Sequence, residues 1–291
     1  MRHSPTKTLL YTVLALIAFA GNSVLCRLAL RDESIDAGSF TIIRLLSGAG
    51  ILMLALMFTK AKPGAESSKG SWWGALTLWV YAVGFSYAYI SLDTGTGALV
   101  LFGMVQITMI FVSLASGTRL QAGEWLGLIL AFAGFTYLVL PNIASPSLAG
   151  FILMALAGIA WGAYTLIGRQ SQNPLADTAY NFTRSLPLIA LLAIYAWADA
   201  DLSYRGVLLA ALSGAVTSGL GYAIWYLALG GLSAIQASVA QLLVPVIAAL
   251  GGLIFTNEDI TLRLMIATAV ILGGVLCVVL SRALIAKRSD S

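Results

Sequence analysis

Apolar runs about 20 residues long recur from one end of this chain to the other, and they restrict its fold more than any other feature. A helix crossing the roughly 30 Å hydrocarbon core of a bilayer needs about 20 mostly apolar residues. Read between their Gly, Pro and charged breaks, the runs cover about 8–30, 37–59, 71–91, 96–116, 122–141, 147–169, 176–197, 205–229, 233–255 and 261–283. Ten spans are therefore expected. Backbone facing lipid must satisfy its own hydrogen bonds, and the runs lack the alternation of barrel strands, so the expected fold is an all-α integral membrane protein. Composition agrees: of 291 residues, 59% are hydrophobic and 10% charged, against about half and a quarter in a soluble domain. The stretch from Lys60 to Ser71 is only loop-sized, so no soluble domain is expected. Met1 to Lys7 starts with positive charge, but the first run continues to about Leu30 without a small-residue cleavage site. It reads as a retained first helix and not a signal peptide.

Charge sets the expected orientation, because cytoplasmic loops collect Lys and Arg. With the N-terminus inside, the inner loops and tails hold Arg2, Lys7, Lys60, Lys62, Lys69, Arg119, Arg169, Arg282, Lys287 and Arg288, and the outer loops only Arg31, Arg205 and Arg263. Asp32, Glu33, Asp36, Asp93, Asp199, Asp201, Glu258 and Asp259 fall outside. Both termini are then cytoplasmic, and the protein is a multi-pass component of the cell inner membrane. The net charge of +4 follows from this topology and from contact with anionic lipid. No Gly-rich phosphate loop and no basic, aromatic-interleaved stripe is present, so no nucleic-acid partner is expected.

A weak internal repeat accompanies the spans. An offset of about 140 residues places Phe40-Thr41-Ile42-Ile43-Arg44 on Asn181-Phe182-Thr183-Arg184, and Ala133-Gly134 on Gly273-Gly274. A slightly smaller offset places Tyr89-x-x-Leu92 on Tyr226-x-x-Leu229. The halves are 1–143 and 144–291, five spans each. An odd span count forces the second half to enter the membrane from the opposite face, the inverted repeat of many secondary transporters, whose substrate sits near the midplane between the halves.

Polar groups inside the spans are candidates for function, since each is costly in lipid. Arg27 lies near the outer end of the first span, where snorkelling accounts for it. Arg44 and Arg184 sit about 10–12 Å into their spans, one from each face; they are read as structural or gating residues bonded to loop carbonyls and helix ends, with a substrate carboxylate as the other reading. Asn22, Gln106, Gln236 and Gln241 can each donate and accept, either toward a substrate or as interhelical links. Tyr81, Phe85 and Tyr89 share one face of the third span at i, i+4 spacing. Trp161 with Tyr164, and Tyr222 with Trp225 and Tyr226, do the same on the sixth and eighth. The expected substrate-binding set is Asn22, Tyr81, Phe85, Tyr89, Gln106, Trp161, Tyr164, Tyr222 and Gln241. Pro187 and Pro245 each remove a backbone hydrogen bond and provide kinks for gating.

No Asp or Glu lies deep in any span, so no proton-coupling carboxylate is evident. Cys26 and Cys277 are solitary and the only histidine is His3, so neither a metal, a cofactor nor an enzymatic acid–base pair is expected. Gly127-x-x-x-Ala131 and Ala269-x-x-x-Gly273 would let the fifth and tenth spans pack closely, within one chain or across a homodimer.

The chain resembles the drug/metabolite transporter superfamily, in its bacterial ten-helix, EamA-type metabolite exporter branch. The likeness rests on Arg44 and Arg184, Ala160-Trp161-Gly162-Ala163-Tyr164, Tyr226-x-x-Leu229, Gln241-Leu242-Leu243-Val244-Pro245, Asn257-Glu258 and Gly273-Gly274-Val275. It departs where Ala20-Gly21-Asn22 replaces an aromatic-Gly pair and Gln106 stands near an expected Pro. The resemblance implies export of amino acids and related metabolites through a cavity lined by spans one, three, four, six, eight and nine. An aromatic cavity with a few amides suits a zwitterion, with rings holding its ammonium group. Phosphorylated metabolites or nucleotide sugars are the alternative cargo, and an intramembrane enzyme is the least supported reading.

Overall fold

Polar residues between the apolar runs start the next helices by capping them. Asp36 accepts from Ser39 N ahead of α2 (Ala37–Phe58), and Ser71 accepts from Gly74 N ahead of α3 (Trp72–Ala88). Asn173 does the same for α7 (Pro174–Arg184), as does Ser203 for α9 (Tyr204–Leu212). Each supplies an acceptor that the first helical turn lacks. The computed structural model describes residues 5–59, 69–115, 117, 122–140, 146–168, 171, 173–196, 200–232 and 234–289. The other helices are α1 (Pro5–Arg31), α4 (Thr94–Ala115), α5 (Ala122–Val139), α6 (Leu148–Gly168), α8 (Leu186–Ala196), α10 (Gly221–Leu229), α11 (Ala234–Gln241), α12 (Val244–Phe255) and α13 (Leu262–Ser289). A π-helical segment, Ser213–Leu220, joins α9 to α10. No β-strand forms among the described residues; an isolated bridge pairs Ile35 with Leu202.

The chain is all-helical, and among the described residues six helices are long and apolar enough to cross a membrane: α1, α2, α4, α6, α13 and the continuous rod Tyr204–Leu229. The other expected spans are shorter or broken. α3 has 17 residues; the seventh expected span breaks at Ser185, just before Pro187, and the ninth at Leu242–Leu243, just before Pro245. Of the expected inner cations, Arg2, Lys60, Lys62, Arg119 and Arg169 lie outside the described residues, as do His3 and Asp199.

Burial is inverted relative to a soluble protein. Met57, Phe58, Leu191, Ile194 and Phe255 are exposed, whereas Asn22, Arg44, Gln106, Ser213, Ser218 and Gln241 are buried. An apolar exterior around a polar interior is what a lipid solvent selects. α1 packs on α10, α12 and the π segment; α6 packs on α3 and α4; α4 packs on α12.

The interhelical bonds define two ends. At one, Asp36 accepts from Asp201 N, Ser203 donates to the Ser34 carbonyl, and Arg263 donates to the Tyr137 and Leu140 carbonyls. At the other, Gly70 N donates to Asp177 and Ser71 N to Asn181. The first end therefore joins residues 34–36 to residues 201–203 and the start of α13 to the end of α5, and the second joins residues 70–71 to α7.

The small-residue faces are used within the chain. A Cβ on Gly127 would strike the Gly274 carbonyl and Val278, and one on Gly274 would strike Gly127 and Ala131. The contact on α13 is thus Gly274 with Ile271 and Val278, one residue away from the expected Ala269–Gly273 pair, which is exposed with open space around Gly273. Because α5 spends its small face on α13, the expected homodimer through these helices is not supported.

Candidate functional site

Helices from both halves bring aromatic rings together in the middle of the bundle. Tyr81 and Phe85 of α3 stand 5.4 Å apart, centroid to centroid, Tyr81 lies 4.8 Å from Trp161 of α6, and Trp161 lies 4.9 Å from Tyr222 of α10. Tyr164 stacks on Trp161 at 5.3 Å, and Phe19 of α1 packs edge-on against Tyr222 and Trp225. The i, i+4 spacing of the α3 aromatics and the shared face of Trp161 and Tyr164 turn these side chains to one side of their helices.

This wall divides two spaces. A vestibule of about 320 Å³ lies between α6, α7, α10 and α11, where Trp161, Tyr164, Tyr222, Trp225, Tyr226 and Gln241 face it. Its mouth is the α6–α7 and α10–α11 end, at Gly168, Ser171, Pro174 and Gly230. The volume falls within the range of small-molecule sites, roughly 300–1,000 Å³. Deeper lies a chamber of about 10 Å³ bounded by Phe19, Asn22, Tyr81, Phe85, Phe102 and Thr217. Trp161 and Tyr222 border both spaces, so they form the partition. The chamber is only the size of one water, so it is shut in this structure. Among the described residues, Asp, Glu, Lys and Arg are absent from the linings of both.

Around the chamber runs a buried hydrogen-bond network. Asn22 Nδ2 donates to the Tyr81 hydroxyl over 3.2 Å, while its Oδ1 accepts from Ser213 at 2.6 Å and from Thr217 at 3.4 Å. Arg44 Nη2 donates to the same Tyr81 hydroxyl at 2.8 Å and Nε to Ser218 at 3.3 Å. The guanidinium carbon lies 5.0 Å from the Tyr81 ring centre and 4.7 Å from that of Phe85, which is cation–π range. Ser213, Thr217 and Ser218 all belong to the π segment, a widened helical form often found at functional sites. Gly214 lets that segment touch α2 at the Arg44 carbonyl; a side chain there would hold the two apart.

The opposite end is closed by charge. Arg27 Nε pairs with Glu258 at 2.8 Å, its Nη2 reaches Asp93 at 3.4 Å, and its Nη1 donates to the Tyr89 and Ile90 carbonyls. Glu258 also accepts from Thr94 N at 2.8 Å. Asn257, at φ +48°, makes the left-handed turn, a conformation that asparagine adopts more readily than most residues, and this brings Glu258 N to the Gly252 carbonyl. Desolvation, with the Glu258 charge as the next cause, holds the Asp93 carboxyl above its ordinary value against the pull of Arg27. Arg27 therefore ties the first span to the α3–α4 and α12–α13 connections and does not reach past them into solvent as the sequence led us to expect.

The expected site residues divide by position. Asn22, Tyr81, Phe85, Trp161, Tyr164, Tyr222 and Gln241 border the two spaces. Tyr89 borders neither: fully buried near the closed end, it donates to the Thr94 carbonyl and its own carbonyl takes Arg27. Gln106 is buried one turn from Phe102, outside both linings, with Nε2 unbonded among the described residues. Gln236 is exposed. Arg44 and Arg184 are not equivalent: Arg44 is wholly buried beside the chamber, whereas Arg184 is half-buried 5.9 Å from the Trp72 ring. Neither bonds the loop carbonyls expected of it. Sequence reasoning passed over Phe19, Phe102, Ser213, Thr217 and Ser218. The signal for the last three was a run of hydroxyls and glycines, Ser213-Gly214-x-x-Thr217-Ser218-Gly219, inside an otherwise apolar span.

Comparison with known proteins agrees with this architecture. Residues 148–280 match the EamA-like transporter family. An uncharacterized protein of Pseudomonas aeruginosa is 50% identical over 95% of this chain and 96% of its own length. An uncharacterized transporter of Archaeoglobus fulgidus is 23% identical over 93% of this chain and 96% of its own, and one of Bacillus subtilis is 19% identical over 81% and 85%. A solved crystal structure superposes with a TM-score of 0.63 at 18% identity, covering 95% of this chain and 98% of that one, which shows a shared fold. The family and the Archaeoglobus and Bacillus relatives are transporters and not enzymes, and a helical bundle with an apolar exterior around a polar, aromatic interior suits such a function: the chain belongs to the EamA-like transporter family, within the drug/metabolite transporter superfamily.

Proposed function

We propose that this protein exports small metabolites across the cell inner membrane, amino acids or related zwitterions above all, by alternating access around the central aromatic wall. The observation that carries the reading is the asymmetry of the two ends. A vestibule of about 320 Å³ opens at one, while at the other Arg27 is tied to Glu258 and Asp93, and the cavity beside them is smaller, about 200 Å³. The distribution of Lys and Arg supports a cytoplasmic vestibule, a reading in which this is the inward-facing state and both termini are cytoplasmic.

The packing supports two inverted halves, 1–143 and 144–291. Exchanging corresponding spans converts the α3–α6 contact into that of α1 with the α9–α10 rod, the α4–α6 contact into α1–α12, and the α2–π contact into α3–α7. All of these occur. The α5–α13 and α4–α12 contacts map onto themselves, as contacts across a twofold axis must. The breaks before Pro187 and Pro245 fall in spans bordering the path, where a lost backbone bond permits hinge motion.

Aromatic faces on Trp161, Tyr164 and Tyr222 suit an ammonium group, and the described lining residues, none of them charged, suit a solute with little net charge. The test is efflux from proteoliposomes loaded with labelled amino acids, nucleobases or sugar phosphates, with and without a pH gradient. Amino acids should leave in preference. Exchange of a sugar phosphate with no amino-acid movement would overturn the reading.

A further inference from the structure

Arg44 heads the large, fully buried side chains among the described residues. No carboxylate among them answers its charge, and its titratable neighbours are Cys26, Tyr81 and Tyr222. Two of its three nitrogens are bonded, Nη2 to Tyr81 and Nε to Ser218; Nη1 is buried and bonded to nothing. Nearby, the Tyr222 hydroxyl faces the Tyr81 side chain and makes no well-formed hydrogen bond among the described residues. A cation at membrane depth is costly, and an unmade bond to a buried charged group adds to that cost. A purely structural arginine would recover that cost with a carboxylate or with carbonyls, as Arg27 and Arg263 do at the other end of the bundle.

The position of the free nitrogen is informative. The rings beneath the guanidinium, Tyr81 and Phe85, are walls of the inner chamber, and Asn22, another wall, shares the Tyr81 hydroxyl with it. Trp161 and Tyr222 border both that chamber and the vestibule. We propose that Arg44 Nη1, with the Tyr222 hydroxyl, is a carboxylate subsite behind the Trp161–Tyr222 partition, filled by a solute's carboxylate when the partition opens. The inference rests on reading the vestibule as the substrate path and adds the chemical class that the path selects. One guanidinium corner matches one singly charged oxyanion; a phosphate dianion would need further cations, and the described residues of the linings include none. Carboxylate binding also supplies the coupling between cargo and motion, because an anion bonded to Nη1 competes for the donors that hold Tyr81 and the π segment together.

The test measures binding of benzoate, its neutral isostere benzamide and inorganic phosphate to the full chain in detergent, read by tryptophan fluorescence. Benzoate should bind at least about tenfold more tightly than benzamide, and phosphate should bind no more tightly than benzamide. Arg44→Gln should abolish the preference, and Tyr222→Phe, which keeps the ring, should reduce it. Equal binding of benzoate and benzamide by the wild-type chain, a preference that survives Arg44→Gln, or tighter binding of phosphate would each overturn the subsite. The wild-type comparison decides even if Arg44→Gln does not fold. If benzoate is preferred but no amino acid is transported, the subsite stands and the amino-acid reading falls; if amino acids move without any carboxylate preference, the reverse holds.

Discussion

Single residues near the partition carry the most function per side chain. Trp161 touches Tyr81, Tyr164 and Tyr222 and borders both spaces. Trp161→Ala removes a cation–π surface worth about 0.5–2 kcal/mol, so transport affinity should fall by about two- to thirtyfold; concentration-dependent efflux checks it, and unchanged affinity with unchanged selectivity would remove Trp161 from the site. Asn22 holds α1, α3 and the π segment together through Tyr81, Ser213 and Thr217. At about 0.6–2 kcal/mol per interhelical bond, Asn22→Ala should lower the thermal midpoint in detergent, and Asn22→Leu should not restore it. The aromatic set was legible in the sequence because i, i+4 spacing fixes which side chains share a helix face. The role of Arg44 was not: the repeat pairs it with Arg184, yet burial and partners differ once α3 and the π segment enclose only one of them. Arg27 was misread for a related reason, since its acidic partners lie 66 and 231 residues away in sequence.

At the scale of elements, the closed end depends on a buried ion pair. The Arg27 and Glu258 side chains are 11% and 8% exposed, and removing one partner of such a pair leaves an uncompensated charge worth about 3–5 kcal/mol. Glu258→Gln should therefore shift the protein toward outward opening, raising maleimide labelling of a cysteine placed at Phe102; labelling that does not rise would show that the pair is not a gate. The α5–α13 contact gives a second test. Gly127→Ala places a Cβ against the Gly274 carbonyl, an overpacking that costs about 1–3 kcal/mol, whereas Gly273→Ala meets open space and should leave the thermal midpoint unchanged or raised. The sequence located these helices well and their contact register poorly. Small residues occur on two faces of α13, at Ala269 and Gly273 and at Gly274, and only packing chooses between them. The π segment was likewise invisible as a shape, because hydroxyls and glycines within an apolar run are compatible with an ordinary α-helix.

At the scale of the molecule, apolar length and charge placement made the helical membrane fold legible, and the same physics explains its interior, where lipid outside leaves polar groups nowhere to go but inward. The substrate path was less so, since a cavity is a property of how helices meet and not of any one of them. The central claim is that one path opens alternately at two ends, with the vestibule facing the cytoplasm in the state seen here. It is tested most directly by a membrane-impermeant maleimide on a chain in which Cys26 and Cys277 are replaced by alanine and Thr165, in the vestibule wall, by cysteine. The account predicts labelling in inverted vesicles but not in right-side-out vesicles, and slower labelling when a transported amino acid is added. Labelling from the outer face, or a rate indifferent to every transported solute, would contradict it.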